Sequence, residues 1–248
     1  MGLKESGLRG SLRNVSVGIS AIPDSLGHQY LVGDFSTDGW PDSEGDQDID
    51  TINGLTLDET AFGGTGGIVS TSDDEFGEDG QMVDFRTQLD TDIAVSIPFN
   101  TEDSGGAFTG VDEGGPSFSV GMKDFITDQE GQLTFRIRDD GDNDLRVRTD
   151  ATFNDGQDHH LIVNKTGNGP EDIDFYIDDM EEKVDKTVTS NETVSDFDES
   201  NINANMGYFR RGAAEDRNQN GALGDIRYFF GQLDESERKA VHDQLPWT

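Results

Sequence analysis

The chain has 248 residues, 52 acidic against 18 basic, which gives a formal charge of -34, with 31% hydrophobic residues and no cysteine. That length suits one domain of sandwich size, or one domain with an arm, around a modest core. The charge excludes nucleic-acid phosphates and anionic membrane surfaces as partners, the missing cysteines exclude disulfides and thiolate chemistry, and no apolar run approaches the roughly 18 residues of a membrane-inserting helix.

Low hydrophobicity with high net charge is also the signature of disorder, but strand periodicity persists over residues 93–230. The acid excess is spread along the whole chain, Asp outnumbers Glu and lysine is scarce. This composition reads as a protein built for very high salt, because at about 1 M the Debye length of ~3 Å screens its self-repulsion.

Residues 1–30 form the locally basic segment, in which Lys4, Arg9 and Arg13 outweigh Glu5 and Asp24. Leu8, Leu12 and Val15 fit one side of a helical turn, while Val15, Val17 and Ile19 alternate as a strand before Pro23. Two readings stay open: an arm whose Lys4, Leu8, Arg9, Leu12 and Arg13 dock on acidic sibling subunits, or the first strand of the domain. The N-terminal residues 1–14 lack an apolar signal core and a twin-arginine pair, so no export signal is expected.

Residues 33–80 are acidic and glycine-rich, with short strand candidates at 56–60 and 67–70 and with Trp40-Pro41 expected to pack at the start of the domain. Strands are predicted at 81–86 and 92–99, the second with Ile93, Val95 and Ile97 on one face. Residues 101–116 read as a long glycine-rich loop. Further short strands are predicted at 117–122, 133–138, 145–149, 201–209 and 222–230, and Asp234 with Glu237 forms a capping-box pattern opening a helix that stops before Pro246. Many short strands between turn signals indicate an all-β sandwich or barrel.

The strongest local signal is a hairpin. Residues 160–164 have an apolar centre, Gly167, Asn168, Gly169 and Pro170 break the run, and then Ile173, Phe175 and Ile177 alternate with Asp174, Tyr176 and Asp178. One buried and one wet face are expected. Asp155-Gly156, the His159-His160 pair and Tyr176-x-Asp178 resemble the core hairpin of laminin-G-like, concanavalin A-like lectin and glucanase domains, and residues 221–229 resemble the closing strand of that family. The likeness covers about residues 85–245 and loosely 31–84. It departs where Gln157 and Asp158 replace an expected Trp and where Asp178-Asp179 replaces Asp-Gly. The resemblance implies a concanavalin A-like jelly-roll sandwich over residues 31–248, with a short C-terminal helix and an N-terminal arm over residues 1–30.

Asp216, Asn218, Asn220 and Gly221 form D-x-N-x-N-G, the opening of a calcium loop, with oxygen ligands at alternate positions and a glycine at the sharp turn. Arg227 stands where a complete helical loop has glutamate. Calcium is thus a candidate cofactor, with Asp216, Asn218, Asn220 and Asp225 as candidate ligands. The alternative is a turn joining two sheets, in which the resemblance makes Asp225 a strand residue. The triplets Asp140, Asp142, Asp144 and Asp46, Asp48, Asp50 are expected to be solvated charge. His159 and His160 are expected to be structural, one ring inward and one outward.

Glucanases of the resembled family place carboxylates on alternate positions of one strand. Asp172, Asp174 and Asp178 are the positions here, each a methylene shorter than the family's outer glutamates, so no enzyme activity is expected. Arg210-Arg211 either pairs with nearby carboxylates or grips an acidic sugar. The resemblance, joined to the missing export signal, implies a non-enzymatic structural surface subunit of a particle: a virion capsid decoration, turret or tail protein of a haloarchaeal virus. Such a subunit would form a homo-oligomer, contact other particle proteins and engage host glycans, although two Trp and 8% aromatic residues offer few stacking platforms for sugars. The alternative is a cellular carbohydrate-binding module or adhesin, extracellular or at the cell surface; a glycoside hydrolase is the third reading.

Overall fold

Short apolar runs alternate through the chain, and the computed structural model, which describes residues 22–72, 74–78, 81–111, 116–122, 131–202, 206–209 and 219–245, folds them into sixteen strands. The first half of the chain supplies β1 (Leu26–Tyr30), β2 (Thr51–Asn53), β3 (Thr56–Asp58), β4 (Gly67–Ser70), β5 (Phe76–Glu78), β6 (Ile93–Asn100), β7 (Ala107–Gly110) and β8 (Ser117–Gly121). Two helical turns, α1 (Ala61–Gly64) and α2 (Val83–Arg86), lie between them. The second half supplies β9 (Gln132–Arg138), β10 (Asp144–Thr152), β11 (His159–Lys165), β12 (Ile173–Ile177), β13 (Lys186–Asn191), β14 (Gly207–Tyr208), β15 (Gly221–Leu223), β16 (Ile226–Phe229) and the helix α3 (Glu235–His242).

The strands form two antiparallel sheets. In the first, β6 pairs with β11 along one side, and β15 and β16 share its other side end to end; β15 leads on to β4 and β3, β16 to β1, and β11 to β12. Pro98, with no N–H to give, falls where the neighbour of β6 changes, and its carbonyl accepts from the Gly224 N–H. The second sheet runs β13-β10-β9-β8-β7-β14-β5-β2. Ile93, Val95, Ile97 and Phe99 of β6 meet Phe118, Val120, Phe135 and Ile137 of the second sheet in one core. This is the expected all-β, jelly-roll-like sandwich with a short C-terminal helix.

Five readings of the sequence need correction. Within residues 81–86 the chain forms α2, Val83–Arg86, and not a strand, because Met82, Phe85 and Leu89 follow helical spacing and all three are buried in the core. The loop expected over 101–116 contains β7, whose Phe108 is buried. Residues 222–230 break at Gly224 and Asp225 into β15 and β16, and within 201–209 the described strand is only Gly207–Tyr208. Leu26–Tyr30, the end of the segment left open between an arm and a first strand, is an edge strand of the first sheet; the arm residues Lys4, Leu8, Arg9, Leu12 and Arg13 lie outside the described residues.

The fifth correction concerns the hairpin's wet face. β11 and β12 pair as expected, Leu161 opposite Ile177 through Lys165 opposite Ile173. However, Ile162 and Tyr176 on the outer face pack with Ala94, Phe229, Leu233 and Val241 into a second apolar cluster beneath α3. The predicted capping box is present: Asp234 accepts from the Glu237 N–H and Glu237 from the Asp234 N–H. Arg238 then lies 3.7 Å over the Tyr176 ring and donates to the Met180 and Leu233 carbonyls. An apolar outer position makes sense only once a helix that begins 58 residues after Tyr176–Ile177 returns to cover it, and local alternation does not carry that information.

Candidate functional site

All four histidines of the chain are described, and each is engaged within the fold. His159 holds Asp178 at 2.7 Å and Asp155 at 3.0 Å; the Asp178 bond first, against burial, and then Asp155 raise its pKa above the ordinary imidazole value. His160 is fully buried on the outer face: its Nε2 lies 2.8 Å from the Ser96 hydroxyl and its Nδ1 2.9 Å from Nδ1 of His242 on α3. One of those two Nδ1 atoms must donate and the other accept. Burial, then the nearby His242 and Arg227, holds the His160 imidazolium well below its ordinary range.

His28 is the opposite case and escaped the sequence reading. It is fully buried, with Asp42 at 2.6 Å and Asp84 at 3.1 Å. Burial pulls its pKa down, but the two carboxylates outweigh it and leave it pushed up to about 9. The three residues are 14 and 56 positions apart, so no local spacing could have paired them.

The carboxylates expected to share one face of β12 do not. Asp172 lies in the 3-10 turn before the strand, where it accepts from the Gly169 N–H. Asp174 is on the strand but pairs with Lys183 and Lys186. Asp178 follows the strand with a φ of 62° and accepts from the His160 N–H. None of them is placed as a nucleophile and acid pair. The acidic triplets stay at the surface as expected: Asp46, Asp48, Asp50 and Asp142 are exposed, with Asp142 paired to Arg138 and Asp48 accepting from the Asp42 N–H, while Asp140 and Asp144 are partly buried, Asp140 accepting from the Asp198 N–H and Asp144 pairing with Arg136 and Arg146.

Of the calcium candidates, Asp216 and Asn218 lie outside the described residues, as do Arg210 and Arg211. Asp225 accepts from the Val32 N–H and lines a cleft of about 350 Å³ with Asp34, Thr65 and Leu245. Asn220 lines a different cleft. Among the described residues no group of three or more His, Asp and Glu side chains is arranged to hold a metal ion.

The cleft at Asn220 has a volume of about 390 Å³ and lies on the outer face of the first sheet, at the end away from α3. Its floor is one row across three strands, Val69 opposite Ala222 and Ala222 opposite Asn100, while Ile68, Leu223 and Phe99 point the other way into the core. Gly221 brings β15 hard against β6: its φ is 144°, and a Cβ there would sit 2.4 Å from the Asn100 carbonyl oxygen. Ala61 walls one side from α1, held there by Phe62, whose φ of 50° is strained for a bulky residue.

The rim is acidic. Asp58 accepts from the Thr60 hydroxyl and N–H, which hold its carboxyl below the usual range. Glu102 makes no hydrogen bond or ion pair among the described residues. Asp103 accepts from the Ser104 and Asn220 N–H groups. Asn100 donates its amide to Asp158 and to the Gly156 carbonyl, so its remaining group is an acceptor. Sequence reasoning flagged Asn220 and Gly221 of these, for a different chemistry; the cleft is drawn from four segments, 58–61, 69, 100–103 and 220–222, that only the strand order unites.

No family model and no curated protein matches this chain by sequence. Solved structures do. The binding domain of botulinum neurotoxin DC, determined in complex with SialylT, superposes with a TM-score of 0.58 and 12% identity over 92% of this chain and 53% of its own length. The binding domain of serotype D/C gives 0.60 and 13%, over 92% and 54%. This chain therefore spans about half the length of those domains. Domain 4 of AbnA, an extracellular arabinanase from Geobacillus stearothermophilus solved with arabinotriose, gives 0.59 and 15%, over 88% of this chain and 98% of that one. At such identities the likeness is one of fold, and the fold is a concanavalin A-like, jelly-roll-type two-sheet sandwich.

Proposed function

We propose that this chain is a non-catalytic carbohydrate-binding module, with the cleft between β4, β15 and the end of β6 as its glycan site. The observation that carries this reading is the cleft itself: about 390 Å³, within the range of small-ligand sites, with an apolar floor under a rim of carboxylate and amide oxygens. A sugar ring offers a C–H face to such a floor and hydroxyls to such a rim. The structural neighbours support the reading, since the toxin domains are binding domains and the arabinanase domain was solved with a trisaccharide. They favour a binding module over the particle subunit expected from the sequence. The absence of a free carboxylate pair on β12 argues in the same direction, for binding and against hydrolysis.

The test is a panel of immobilised glycans probed with the native chain and with Ala222→Trp, which fills the floor. Binding by the native chain and its loss in a variant with an unchanged melting temperature is the expected result. Equal binding by both would move the site elsewhere, and no binding to any glycan would end the reading.

A further inference from the structure

Resting on the assignment of this cleft as a glycan site, we infer that it selects neutral oligosaccharides and rejects those bearing a carboxylate at the contacting ring. The inference comes from the sorting of donors and acceptors around the cleft. The donors are turned inward. The Thr101 hydroxyl donates to the Asn220 carbonyl at 2.6 Å, and the Asn220 N–H donates to Asp103 at 3.1 Å. The Asn100 amide nitrogen is taken by Asp158 at 2.7 Å. What faces a ligand is a set of acceptors: the carboxylates of Asp58, Glu102 and Asp103 and the side-chain oxygen of Asn100. No Lys, Arg or His is among the described residues that line the cleft. The amide nitrogen of Asn220 is the side-chain donor left over among them.

A sugar hydroxyl both donates and accepts, so it satisfies a carboxylate with a short, charge-assisted bond. A uronate or sialic acid carboxylate brings acceptors only, and against this rim it leaves both partners unsatisfied. High salt does not relieve that mismatch: a Debye length of ~3 Å at about 1 M screens charges across solvent, not oxygens in contact. The discrimination therefore operates under the conditions this acidic chain is built for.

The experiment is calorimetric titration of the native chain at constant high salt with matched ligands, galactotriose against trigalacturonate, and with arabinotriose as a second neutral probe. The expected result is a neutral ligand bound at least about tenfold more tightly than its acidic counterpart, the scale set by one unsatisfied hydrogen-bonding pair. Glu102→Gln and Asp103→Asn, which turn an acceptor into a donor, are expected to narrow that gap. Trigalacturonate binding as tightly as galactotriose, or a gap unmoved by both variants, overturns the inference while leaving a glycan-binding module. Failure of every neutral and acidic ligand to bind overturns the glycan assignment itself, and this inference with it.

Discussion

The two ends of the first sheet's outer face are built from the same strand and meet different fates. On β6, Ala94 and Ser96 lie beneath α3, fully buried, whereas Asn100, six residues and about 20 Å further along, lines the open cleft. At the covered end the outer positions are Ile162, Tyr176 and Phe229, and the helix that hides them is tied by a capping box and by Arg238. At the open end the outer positions are Val69 and Ala222, smaller residues, and carboxylates surround them. The difference is one of side-chain size and cover: large apolar side chains recruit a helix and stabilise the fold, and small ones under an acidic rim leave room for a ligand.

The largest expected effect removes both ends together. Dilution from about 1 M salt to below physiological strength unscreens a formal charge of -34, and near-ultraviolet circular dichroism should be lost. A sandwich that keeps its signal there would show that the acid excess is tolerated without salt.

Next in size is the covered end alone. Tyr176→Ala removes the ring between sheet and Arg238 and should cost about 3–5 kcal/mol in denaturant unfolding at high salt, in the range of buried aromatic truncations. Ala222→Ser at the open end should change stability by less than about 0.5 kcal/mol, as a half-exposed substitution away from packing does. Similar values for the two would erase the distinction.

The third effect is pH-dependent and has opposite signs at two buried histidines. His160 and His242 have depressed folded values, mainly from burial, so their contribution is present above the ordinary imidazole value of 6.5 and is lost as pH falls below it. Ser96, Arg227 and His242 surround His160, and Asp178 and Asp243 act on His242 in the other direction. Hydrogen-exchange protection over residues 235–242, corrected for the intrinsic pH dependence of amide exchange, should therefore fall between pH 7.5 and 5.5, before protection in the sandwich core does; a uniform change across both would contradict it. His28, raised to about 9, contributes below 6.5 in full and loses its contribution as pH rises through 9. Lys165, pulled down to about 8 by burial, acts in the other direction over that window, so the check is the difference in melting between the native chain and His28→Gln.

The smallest effect is at the helix entry. Asp234→Ala removes the acceptor for the Glu237 N–H and should cost about 1 kcal/mol, read as a lower denaturation midpoint with α3 still formed. No change would mean that packing alone fixes the helix.

Local periodicity carried much of this fold. The β11–β12 hairpin, the alternating core face of β6 and the capping box of α3 are all short-range patterns, and all three stand in the structure. What failed was non-local. Met82, Phe85 and Leu89 were too few turns for the helical period to outweigh a strand reading. The outer face of the hairpin has the alternation of a wet face, and the helix α3 that covers it lies far away in sequence. The cleft was the least legible feature: Asp58, Ala61, Val69, Glu102 and Ala222 become neighbours through strand order, and only Asn220 and Gly221 sit in a motif.

The most direct measurement of the central claim is a nuclear magnetic resonance titration of the native chain, at high salt, with the tightest-binding member of the neutral oligosaccharide panel. Shift changes concentrated at residues 58–61, 69, 100–103 and 220–222, with α3 and the residues beneath it unmoved, are the predicted result. Changes centred on the second sheet or on α3, with those cleft residues silent at saturation, would contradict the account.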